Sequence, residues 1–103
     1  MKTVDTIRIQ LAGGEFEFSR HAFRRAVERN ISEAEIRQAG MFAQLIEDYP
    51  ADKYSPSCLL MGRTGTERIL HIQVSRADTN LVRIVTLYEP GLDEWDETFT
   101  RRR

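Results

Sequence analysis

The sequence predicts an α+β fold, and three observations carry that reading. Apolar residues alternate with polar ones near the amino terminus, two helix signatures follow between residues 19 and 40, and β-branched runs punctuated by turn residues extend to residue 88. At 103 residues the chain has room for one hydrophobic core, so residues 1–103 are read as a single domain.

Val4, Ile7, Ile9 and Leu11, then Phe16 and Phe18 across Ala12-Gly13-Gly14, predict a β-hairpin closed by a glycine turn. Ser19 suits an N-cap, because its hydroxyl can accept a bond from an orphaned helix N–H. From His21 to Arg29 the apolar residues Ala22, Phe23, Ala26 and Val27 recur at helical spacing, and Asn30 suits a left-handed stop. Ser32 and Glu35 form a capping box for a second helix. Ile31 and Ile36 stand at hydrophobic-staple positions, and Gly40 is placed to end that helix. Strands are expected over 42–49, 58–63, 67–75 and 81–88, the last three as an antiparallel meander. The expected architecture is therefore an N-terminal β-hairpin, two short helices and an antiparallel sheet of three to four strands. In the tail, Trp95 and Phe99 stand four apart, which fits one anchoring helical turn.

Composition limits what the chain can do. A net charge of −1 argues against a surface that is basic throughout and leaves room for a local basic patch. Cys58 is the only cysteine, which excludes an internal disulfide and a multi-cysteine zinc site. No stretch approaches the ~20 apolar residues of a membrane span, and the amino terminus lacks a signal-peptide core, so a cytoplasmic protein without membrane contact is expected. Two histidines without carboxylates at ligand spacing suggest no metal, and no glycine-rich phosphate loop suggests a cofactor.

Lys2 and Lys53 are the only lysines among 15 basic residues, so arginine, with its planar fork for phosphate, supplies nearly all the positive charge. His21 and Arg25 lie one helical turn apart and leave the same helix face, with Arg20, Arg24 and Arg29 near them. His71 shares a strand face with Ile69, Gln73 and Ser75. Thr86 and Tyr88 share a face with Val82 and Ile84 by simple alternation. Whether that is the His71 face depends on register, which alternation alone leaves open. A bland reading stands beside each functional one: either histidine can serve as a structural hydrogen-bonder.

The ordered set Phe18-Ser19-Arg20-His21-Ala22, Arg25, Arg29-Asn30-Ile31-Ser32, Glu35-Ile36, Tyr49-Pro50, Pro56-Ser57-Cys58-Leu59, Leu70-His71-Ile72, Thr86-Leu87-Tyr88-Glu89-Pro90 and Trp95 resembles a prokaryotic family catalogued as domain of unknown function 4258. The resemblance implies an architecture similar to RelE-like and BrnT-like toxins, and a small antitoxin protein as partner. It makes His21, Arg25, His71, Thr86 and Tyr88 the candidate catalytic site, and the clustering of Arg20, Arg24 and Arg29 on the His21 helix makes them the expected RNA-phosphate contacts. The implied activity is metal-free RNA cleavage by general acid–base catalysis. The alternative is a non-catalytic protein-binding module, or one that forms a homodimer through a sheet edge.

Overall fold

The computed structural model describes residues 1–103 as three helices over one five-stranded mixed sheet, so the α+β reading holds. The helices are α1 (Val4–Ala12), α2 (Arg20–Glu28) and α3 (Glu33–Met41). The strands are β1 (Phe16–Phe18), β2 (Gln44–Tyr49), β3 (Ser57–Arg63), β4 (Ile69–Ser75) and β5 (Val82–Tyr88), in the spatial order β1-β5-β4-β3-β2. From β3 to β5 the strands form the antiparallel meander expected, and β2 extends it by pairing antiparallel with β3.

The first segment is the main departure. Residues 4–12 form a helix in place of the first strand of a hairpin, and β1 pairs in parallel with β5. The stripe Val4, Ile7, Leu11 follows an i, i+3, i+7 spacing, and Ile7 and Leu11 are fully buried while Ile9 is 69% exposed. Counting Ile9 with that stripe produces the false alternation. Thr3 caps the helix by accepting the Thr6 N–H, and Gly14 makes the exit turn at φ 76°.

The rest of the helical layer follows its caps. Ser19 accepts the Ala22 N–H, the Ser32–Glu35 capping box is complete, and Asn30 adopts φ 53° past the end of α2. Ile31 and Ile36 are both buried, as a staple requires. Gly40, in contrast, does not end α3. It lies inside the helix, where a Cβ would come within 2.4 Å of Leu11 Cβ, so it serves the close approach of α1 and α3.

The core lies between helices and sheet: Ile7, Leu11, Ala22, Ile36 and Ala39 meet Leu60, Leu70, Ile72, Val74, Val82, Ile84 and Leu87. This helix-covered side is the inner face of the sheet. The outer face is half covered by the tail, which is not the expected helical turn. Trp95 pairs with Arg102 in an isolated antiparallel bridge. Between them Asp96 Oδ1 accepts the N–H groups of Thr98 and Thr100 and the Thr98 hydroxyl. The small polar residues offer those side-chain bonds in place of helix formation.

Candidate functional site

A β-bulge decides which residues meet on the outer face. β4 and β5 pair as His71 with Tyr88 and Gln73 with Thr86, then as Val74 with Ile84, leaving Val85 unopposed. The extra residue reverses the alternation. Val82 and Ile84 are in the core, while Tyr88 stands opposite His71. Simple alternation, which put all four on one face, is therefore corrected by one residue of bulge.

His71 is fully buried, and both ring nitrogens are engaged. Its Nε2 lies 2.7 Å from the Phe99 carbonyl, which can only accept, so Nε2 carries the proton. Its Nδ1, 3.2 Å from the Tyr88 hydroxyl, is then the acceptor. Trp95 closes over the imidazole edge-on at 4.4 Å between centroids, and the Arg102 guanidinium covers Trp95 at 4.6 Å. Arg102 continues to Glu47 at 2.9 and 3.1 Å, and Glu47 also accepts from Tyr49. Burial depresses the His71 pKa below its ordinary value. Burial, reinforced by the Glu47 bond, pushes Tyr49 up to about 12, and burial raises Tyr88 as well. The hydrogen bond from Arg102 holds Glu47 below the usual carboxylate range.

His21 and Arg25 stand elsewhere, on α2. That helix runs beside the stretch of β5 that β1 leaves uncovered, since β1 pairs only with Val82–Ile84. The Ser19 hydroxyl donates to Val85 O at 3.1 Å and Arg29 Nη1 to Leu87 O at 2.7 Å, fixing the helix at both ends. His21, Arg25 and Arg29 follow an i, i+4, i+8 ridge. Arg29 lines an outer-face recess with Tyr88, Trp95 and the acidic residues Glu89, Asp93 and Glu94, which places the ridge on the flank of α2 that borders the outer face. His21 is exposed, and Arg25 pairs with Glu28 at 2.7 Å. Arg20 and Arg24 are exposed further round the helix. The structure thus brings His71 and Tyr88 into contact and sets Thr86 one pair along. It keeps His21 and Arg25 apart from them on the neighbouring helix.

Two features escaped the sequence reading. Arg68, in the β3–β4 turn, donates to Arg29 O and Asn30 O at 2.9 Å each, to Glu35 at 3.0 Å and to Glu89 at 2.5 Å. It joins the end of α2, the start of α3 and the root of the tail, and no local motif announces such a long-range role. The second is an open pocket lined mostly by polar residues, among them Ser57, Gln73, Ser75 and Arg83 and Asp52 and Tyr54 of the loop before β3. No three histidine, cysteine, aspartate or glutamate side chains gather as a metal site. No helix is long and apolar enough to cross a membrane.

Residues 18–89, from the end of β1 to the end of β5, match the family described as Domain of unknown function (DUF4258). The chain belongs to this family. No curated protein and no solved structure matches it. The DUF4258 match contains α2, α3 and strands β2–β5, with His21, Arg25, His71, Thr86 and Tyr88 inside it, while α1, most of β1 and the covering tail fall outside.

Proposed function

We propose that the protein is a metal-free RNA endonuclease of the toxin kind, with the α2 ridge as its catalytic edge and a small antitoxin as its natural partner. The observation that carries the reading is the ridge itself: an exposed histidine one turn from Arg25 and two from Arg29, bordering the open outer face. His21 takes the proton from a ribose 2′-hydroxyl, O2′ bonds to the adjacent phosphorus, and the P–O5′ bond breaks. The leaving 5′-oxygen takes its proton from solvent. Arg25 and Arg29 stabilise the charge that develops on the phosphorane oxygens, and Arg20 and Arg24 hold flanking phosphates. Thr86 and Tyr88 form the β5 border of the site. His71 becomes a positioning residue that fixes the Tyr88 hydroxyl from beneath.

A purified-protein assay on mixed RNA with chelator present tests this. Wild type should cleave, and His21→Ala should lose about 10²–10⁴-fold in rate, the usual scale of acid–base help. Equal rates for wild type, His21→Ala and Arg25→Ala would sink the reading.

A second reading, a non-catalytic binding module, draws on a specific observation: His71 is enclosed with both nitrogens bonded, and Arg25 has its own carboxylate partner. Absence of cleavage by folded wild type on every RNA tried, together with stable complex formation with a protein partner, would favour that reading.

A further inference from the structure

We infer that the open pocket on the outer face is a nucleobase-binding site, with Tyr54 as stacking platform and Gln73 and Asp52 as readers of the base edge. The pocket encloses about 680 Å³, within the range that holds a nucleoside-sized ligand. Its floor is preorganised. The Ser57 hydroxyl, 1% exposed, donates to Asp52 Oδ2 at 2.6 Å and accepts from Gln73 Nε2 at 3.1 Å. That chain fixes the amide and the carboxylate in place. Each keeps capacity for a ligand: Asp52 its second oxygen, Gln73 its carbonyl oxygen and second amide hydrogen. Amide and carboxylate side chains are the groups that read the donor and acceptor edges of bases.

Tyr54 is the second, independent observation. It is 89% exposed at the pocket wall, the most exposed large hydrophobic side chain of the chain. An aromatic ring at that wall offers a face on which any base can stack. Lys53, 5.5 Å from that ring, supplies positive charge for the attached phosphate, and Arg83 on the pocket wall, paired with Glu17 at 3.3 Å, adds a guanidinium whose remaining N–H groups can reach it. Position matters too. Ser19 is both a wall of the pocket and the N-cap of α2, so His21 stands two residues past the wall. A base in the pocket would lead its backbone toward the His21–Arg25 ridge. The pocket therefore names the nucleotide class that the proposed cleavage would act beside, and to that extent it rests on the RNA reading.

Binding is measurable without catalysis. The full chain is titrated with each of the four nucleoside 5′-monophosphates, and with ribose 5-phosphate and inorganic phosphate as controls, by calorimetry and by amide and side-chain NMR shifts. Expected are saturable binding of at least one nucleotide, shifts at Tyr54 and the Gln73 side-chain amide, and about ten-fold or greater weakening in Tyr54→Ala. Gln73→Leu should reduce discrimination among the bases, and Tyr54→Phe should retain affinity, separating lost stacking from a disturbed loop. No saturation by any nucleotide, equal binding of ribose 5-phosphate, or affinities unmoved by Tyr54→Ala and Gln73→Leu would each overturn the site. The wild-type protein separates the two readings: saturable nucleotide binding with no RNA cleavage removes the nuclease and leaves the pocket standing, whereas RNA cleavage with no nucleotide binding removes the pocket alone.

Discussion

Trp95→Ala is the perturbation with the most to say about the covered half of the sheet. The indole is fully buried, lies edge-on against His71 at 4.4 Å, and carries Arg102 on its outer side. Truncating a buried tryptophan to alanine costs about 3–5 kcal/mol. One term runs the other way: Nε1 is buried without a partner, and its removal returns about 1 kcal/mol. The net loss is about 3 kcal/mol, equivalent to a fall in Tm of about 12–24 °C for a domain of this size. Trp95→Phe keeps a ring over the imidazole and removes the orphaned donor, so it should fall within about 1 kcal/mol of wild type. Thermal unfolding followed by circular dichroism measures both. NMR titration of the His71 ring adds a local readout. Burial is what depresses its pKa, so Trp95→Ala should move that pKa back up toward the ordinary value. A Tm within 4 °C of wild type and an unmoved His71 titration would refute the claim that Trp95 seals this site.

Other expectations follow from single positions. Gly62 faces the backbone of α3, where a Cβ would sit 2.1 Å from Ala39 O; Gly62→Ala should cost about 1–3 kcal/mol in a urea titration, whereas Gly65→Ala, facing only the Gln38 side chain at 3.4 Å, should be nearly neutral. The depressed His71 pKa means that the unfolded chain binds a proton before the folded one does. That stabilising contribution is complete above the ordinary value of 6.5 and is lost as pH falls below it, and His71→Phe should abolish this part of the slope. Cys58 is fully buried with its thiol pushed up to about 11 by burial, so a thiol reagent should label it only at the rate of unfolding, and rapid labelling of native protein would contradict its placement.

Much of the fold is legible in local chemistry. Ser19, Asn30, Ser32 and Glu35 act through groups one to four residues away, so their types alone locate the two central helices. The meander is equally local, since Thr64-Gly65-Thr66 and the polar run 77–80 set its turns. The failures are of another kind. Val4 to Leu11 supports two periods, and the choice is made by α3, whose Gly40 admits Leu11 at a distance no side chain would tolerate. Gly40 follows the same rule, because in sequence a glycine that serves a distant partner resembles one that ends a helix.

The candidate site divides along the same line. His21, Arg25 and Arg29 keep a helical relation that depends only on α2 forming, and α2 is signalled by its own caps. Placing His71 opposite Tyr88 required the register of β4 on β5, and that register turns on Val85, a β-branched residue indistinguishable by type from its neighbours in an unbroken strand. The enclosure of His71 depends on more distant information still, because the Phe99 carbonyl and Trp95 reach it from a tail more than twenty residues away. The tail lies outside the family match, whereas the residues it covers lie within it. It follows that His71 and Tyr88 can be bonded to each other by the sheet alone, while the enclosure of His71 is supplied by this chain's own carboxyl terminus. Removing residues 91–103 should therefore leave the His71–Tyr88 pair in register, expose His71 to solvent and raise its pKa. Loss of the β4–β5 pairing itself in such a variant would show that the tail organises the sheet rather than merely covering it.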